Sequence, residues 1–79
     1  MTKEIKLIWD FRGADAAAIA KHHAIHLQDY ATENKLAQKP IGAEAVTPMH
    51  SIAFIVVEEP QMIVVRDALK PHRGEFIGQ

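Results

Sequence analysis

An α+β domain, an antiparallel sheet with two helices on one face, is the fold class this sequence predicts. Three observations predict it. Ile5, Leu7, Trp9 and Phe11 alternate along the start of the chain, with Lys6 and Asp10 on the other parity. An alanine-rich run of strong helix formers follows, from Ala14 to about Leu36. After it comes the short apolar stretch Ile52 to Val57, and then a second helical pattern opened by Pro60. With 79 residues the chain reads as one domain, 1–79, near the size where a single core gives only marginal stability.

Each element has a local reason. The alternation over Ile5 to Phe11 is that of a half-buried strand, and Gly13 punctuates its end. Asp15 suits the first turn of the helix that follows, where a negative charge meets the positive end of the dipole. Lys39-Pro40 breaks that helix, because the residue before proline disfavours the α region. Ile41 to Thr47 reads as a weak strand of small and β-branched residues, which suits a sheet edge, and Thr47 to His50 as a turn. Ile52 to Val57 is a strand apolar on both parities. Glu59-Pro60 starts the second helix, with Met62, Val65 and Leu69 at helical spacing, and Pro71 and Gly74 end it. Glu75-Phe76-Ile77 can add a last short strand.

The resulting order, β-α-β-β-α-(β), is the split βαβ arrangement, and right-handed crossovers put both helices on one face of the sheet. In element order and size the whole chain resembles the ferredoxin-like dimeric α/β-barrel group. The resemblance implies a homodimer that covers the open sheet face. The doubly apolar third strand fits this, since one of its parities must lie on that open face. The group spans isomerases, monooxygenases, decarboxylating enzymes and non-enzymatic binders, so the resemblance selects no reaction.

Composition narrows the field. Cysteine is absent, which excludes disulfides, thiolate zinc sites and the CxxC pair of heavy-metal-transfer domains. Formal charge is −1, without a Lys/Arg block or basic-aromatic alternation, so a nucleic-acid surface is not expected. The longest apolar run is far too short to span a bilayer, and MTKEIK lacks the features of a signal peptide, so the expected location is cytoplasmic. Met1-Thr2 also lacks the amino-terminal proline of tautomerases of this general build.

Residues 20–30 read AKHHAIHLQDY, with three histidines in five positions. Wound at roughly 100° per residue, Ile19, Ala20, His23, Leu27 and Tyr30 share one apolar stripe. His23 then faces the core, His26 lies at the margin and His22 turns toward solvent. His22/His26 are spaced i, i+4 and His23/His26 i, i+3, so either pair can meet on the helix surface. The glutamate of a zinc HExxH helix is missing. The plain alternative is a core His23 bonded to a backbone or carboxyl group, with the other two solvated.

In this topology the first strand ends, the third begins and the second helix ends at one edge of the molecule. Asp10, Arg12, His50, His72 and Arg73 are expected to gather there, with Trp9 and Phe11 as an apolar wall. His50 and His72 are expected to point toward the sheet–helix interface, with His23 as a further member. Such a set suits a small anion forked by Arg12 and Arg73. It also suits a divalent metal such as Zn²⁺ or Ni²⁺ on His23, His26, His50 and His72, or acid–base chemistry with His50 or His72 as proton carrier. The leading expectation is a homodimer with a His/Arg-lined pocket for a metal ion or small anionic ligand. The alternatives are a structural or regulatory dimer without a site, and a small isomerase- or lyase-like enzyme.

Overall fold

Strand β1, Glu4–Arg12, and strand β3, His50–Glu58, lie side by side at the centre of a four-stranded antiparallel sheet whose edges are β2, Ile41–Thr47, and β4, Arg73–Gly78, in the order β2-β3-β1-β4. The computed structural model describes residues 3–36 and 39–78. Helix α1, Ala16–Glu33, links β1 to β2; helix α2, Glu59–Leu69, links β3 to β4. Because β3 is antiparallel to both β1 and β2, those two run parallel with β3 between them. Likewise β3 and β4 run parallel with β1 between them. The two crossover units are thus interleaved.

Both helices pack on one sheet face. Ile5, Leu7 and Trp9 of β1 and Ala53, Ile55 and Val57 of β3 form a common core with Ala20, Leu27 and Ala31 of α1 and Val65 of α2. Burying a side chain such as Leu27, Ile55 or Val65 stabilises the fold by about 1.5–3 kcal/mol each. Trp9 adds a polar tie, its Nε1–H donating to the Leu69 carbonyl (3.1 Å) and so satisfying one of the last carbonyls of α2.

The opposite face has no helix, yet Ile8, Ile52 and Val56 are only 1%, 5% and 4% exposed. Neighbouring long side chains roof them: Lys6 Nζ lies 4.4 Å from the centre of the Phe54 ring and 3.6 Å from Glu44, and Arg73 reaches across to Asp10. Stems of charged side chains cover apolar surface while their heads stay in water.

Several boundaries differ from the sequence expectation. Helix α1 starts at Ala16 rather than Ala14, and Asp15 sits at its N-cap without a side-chain capping bond. Gly13 takes φ 115°, a backbone conformation suited to glycine, while its N–H donates to the Met49 carbonyl (2.8 Å) and ties β1 to the β2–β3 hairpin. Ile19, placed on the apolar stripe by its spacing, is 47% exposed. Strand β3 begins at His50, and the β2–β3 turn consists of Pro48 and Met49. The last strand forms and is longer than expected, and it contains Gly74. A Cβ at Gly74 would lie 3.3 Å from Leu7 Cδ2, so the glycine lets β4 sit close over the core.

Candidate functional site

The alternation of β1 settles which candidates share a face. Its odd-numbered residues Ile5, Leu7 and Trp9 enter the helix-covered core, so Asp10 and Arg12 belong to the open face. In the β1–β3 register Asp10 stands opposite Ile52 and Arg12 opposite His50, and directly paired residues project to the same side. His50 is therefore on the open face. The expectation that it points into the sheet–helix interface is corrected: β3 is apolar on both parities, and the parity of Ala53, Ile55 and Val57 is the one the helices cover.

On that open face Asp10 is the hub of a charged network. Its Oδ1 accepts from His50 Nε2–H at 2.8 Å. Arg73 forks the same carboxylate, Nε to Oδ2 at 3.1 Å and Nη2 to Oδ1 at 3.2 Å, and turns its remaining Nη1 to Glu75 (3.1 Å). The Arg73 hydrogen bonds, followed by that of His50, hold the Asp10 carboxyl down at about 2, against the opposing effect of burial. Being ionised, the carboxylate can only accept, so His50 carries a proton on Nε2 and, when neutral, keeps its lone pair on Nδ1. Among the described residues Arg12 makes no ion pair, and it stands beside His50.

His72 and His23 lie on the other side of the sheet. β4 begins only at Arg73, and ahead of it His72 Nδ1 accepts the Asp10 main-chain N–H at 2.9 Å, while the His72 N–H donates to the Ile8 carbonyl at 2.9 Å. His72 thus replaces one ladder bond with a side chain and carries its proton on Nε2 when neutral. Its ring lies 6.4 Å from that of Phe11, and it lines a cavity of about 330 Å³ between α2 and β4 with Ile5, Leu7, Met62 and Phe76. The His23 ring packs 4.8 Å from Trp9 and 5.5 Å from Phe11. Its buried Nε2 has no hydrogen-bond partner among the described residues. Burial first, and then the nearby His26, His72 and His22, push the His23 imidazole below the usual histidine range.

The structure therefore gathers Asp10, Arg12, His50 and Arg73 on the open face and His23 and His72 on the helix face, with Asp10 belonging to one group by its carboxylate and the other by its N–H. Arg12 and Arg73 do not form a joint anion clamp, because Arg73 is engaged by Asp10 and Glu75. His23, His26, His50 and His72 do not form a common metal centre: among the described residues no group of three or more histidine or carboxylate side chains is placed to hold a metal ion. Sequence reasoning missed Glu75, which neutralises part of Arg73; of the two histidine pairs that the helix spacing allows, His22 and His26 are the pair that meets.

Comparison with protein-family models, curated proteins and solved structures finds no match for this chain. No helix among the described residues is long and apolar enough to cross a membrane.

Proposed function

We propose that the protein is a homodimer of the ferredoxin-like α/β-barrel type that binds a small anionic ligand, a carboxylate or phosphate, between Arg12 and His50 on its open sheet face. The observation that carries the reading is the chain Arg73–Asp10–His50. A guanidinium fixes a carboxylate, and that carboxylate fixes an imidazole whose side chain is only 14% exposed. Such a relay orients a histidine for proton transfer or ligand contact, because the orienting group selects the tautomer and the ring angle. Arg12, opposite His50 in the register, supplies a cation that makes no ion pair among the described residues. The two carboxylates and two guanidiniums of the site balance in charge, so an anion is attracted when His50 carries a second proton. His50, not His72, is then the proton carrier.

The sheet order supports the ferredoxin-like assignment, and the helix-free face supplies the surface a second copy would cover. The homodimer and the ligand are tested separately. Sedimentation or light scattering at micromolar concentration reads the dimer; a monomer removes that part of the proposal and leaves the site. Histidine NMR during titration with small carboxylates and inorganic phosphate reads the ligand. A saturable shift of the His50 signals that is lost in Arg12→Ala, with His72 unmoved, is expected. Signals of His50 that stay fixed at millimolar anion, or a shift that persists in Arg12→Ala, overturn it.

A further inference from the structure

On the outer surface of α1, away from the Asp10 network, His22 and His26 sit one turn apart with their Nε2 atoms 3.1 Å from each other and ring centres at 4.6 Å. We propose that these two nitrogens form a chelating site for a single divalent transition-metal ion, taken up in the order Cu²⁺ over Ni²⁺ and Zn²⁺. The argument is one of bite. Imidazole nitrogens bind such ions at about 2.0–2.1 Å. At that length two donors 3.1 Å apart subtend roughly 100° at the ion, between the square-planar and tetrahedral angles. The distance that suits the hydrogen bond therefore also suits two ligands on one metal.

The chemistry of the pair agrees. Among the described residues each ring makes its one hydrogen bond to the other, so neither nitrogen is committed to a carboxylate or to the backbone. One ring donates and the other accepts, which requires opposite tautomers. When the metal binds, the proton on the donating Nε2 moves to Nδ1 of the same ring, and both Nε2 lone pairs go to the ion. No proton is lost from the neutral pair and nothing is oxidised or reduced. Rotation of each ring by roughly 40°, mainly about χ2, a torsion with a broad energy well, turns both lone pairs to the common point. Both side chains are exposed, so the ion keeps its remaining positions for water or an outside donor. The absence of a third nearby histidine or carboxylate among the described residues makes this an open chelate rather than a closed structural site. The order of ions follows, since the affinity of a nitrogen site peaks at copper.

A metal bound here bridges consecutive turns of the folded helix and has no equivalent in the unfolded chain, so it stabilises α1 by linkage. The test is a calorimetric titration of the tag-free chain with CuCl₂, NiCl₂ and ZnCl₂ in a non-chelating buffer at pH 7.5, alongside thermal melting. One ion per chain, tightest for Cu²⁺, and a higher melting temperature with metal are expected. His22→Ala and His26→Ala each lose one of the two ligands, and the affinity then falls by at least the about 10–100-fold that loss of a mere outer-shell partner costs. Ile25→Ala, an exposed neighbour on the same turn, binds as the unmodified chain does. Nickel broadens the NMR signals of His22 and His26 first. Equal Cu²⁺ affinity in His22→Ala and His26→Ala, or broadening that starts at His23, His50 or His72, overturns the proposal. The variants change exposed side chains, so folding is not at stake, and circular dichroism verifies it.

Discussion

Replacing Asp10 by asparagine keeps the shape of the side chain and removes its charge, which makes it a direct probe of the network that orients His50. Two Arg73 donors and one from His50 converge on this carboxylate. They lower its pKa from 3.8 to about 2. At about 1.36 kcal/mol per unit this sets a ceiling of about 2–3 kcal/mol for the charge-dependent part of the stability. The side chain is 20% exposed and its partner Arg73 44%, so solvent screening reduces the figure to about 1–2 kcal/mol. In a domain of this size that corresponds to a melting temperature lower by roughly 5–15 °C at pH 7.

The pH dependence gives the decisive contrast. The folded pKa lies below the unfolded one, so the stabilisation is complete above pH 5 and disappears as the pH falls from about 4 toward 2. Urea unfolding of the unmodified chain and Asp10→Asn should therefore differ at pH 7 and converge at low pH, where Asp10 is itself uncharged. A carboxyl ¹³C titration of the native chain measures the same pKa directly. A gap of equal size at pH 7 and pH 2.5, or a normal carboxyl titration for Asp10, refutes the reasoning.

Two further outcomes follow from burial. Leu27→Ala empties the middle of the α1–sheet contact, where Leu27 is 1% exposed, and should cost about 2–5 kcal/mol in urea unfolding. A loss under about 1 kcal/mol contradicts the packing. His23→Leu removes a buried nitrogen that has no partner among the described residues; because the folded His23 pKa is lowered, the native chain loses stability as pH falls below about 6.5, while the variant should lose less over pH 6.5–5. Parallel thermal melts across that range measure it, and identical slopes sink the assignment.

The element order was legible because each signal is local: alternation in β1, the proline-opened α2, the apolar β3. The side of the sheet on which His50 lies was not. Parity assigns a face only where one parity is polar, and β3 is apolar on both. The register that pairs His50 with Arg12 joins residues 38 positions apart, which no local pattern encodes. His72 lies beyond the Met62, Val65 and Leu69 stripe of α2. The helix ends at Leu69, and Lys70 in the left-handed conformation (φ 51°) redirects the chain before His72 is reached. That Arg73 meets Asp10 is visible only in the folded topology, where β4 lays it over the carboxylate.

The two acid–base candidates turn out to be complementary rather than equivalent, and Asp10 is the reason. His50 donates Nε2–H to a carboxylate, so its neutral form presents an accepting Nδ1 on the open face. His72 accepts a main-chain N–H at Nδ1, so its neutral form presents a donating Nε2–H on the other. A group that must take up a proton needs the first arrangement; a group that only completes a strand end is well served by the second. Asp10→Asn separates the roles, because it removes the charge that orients His50 and leaves the N–H that His72 binds. Histidine NMR of that variant should therefore show a changed His50 tautomer balance beside an unchanged His72, and a change confined to His72 would reverse the assignment of proton carrier.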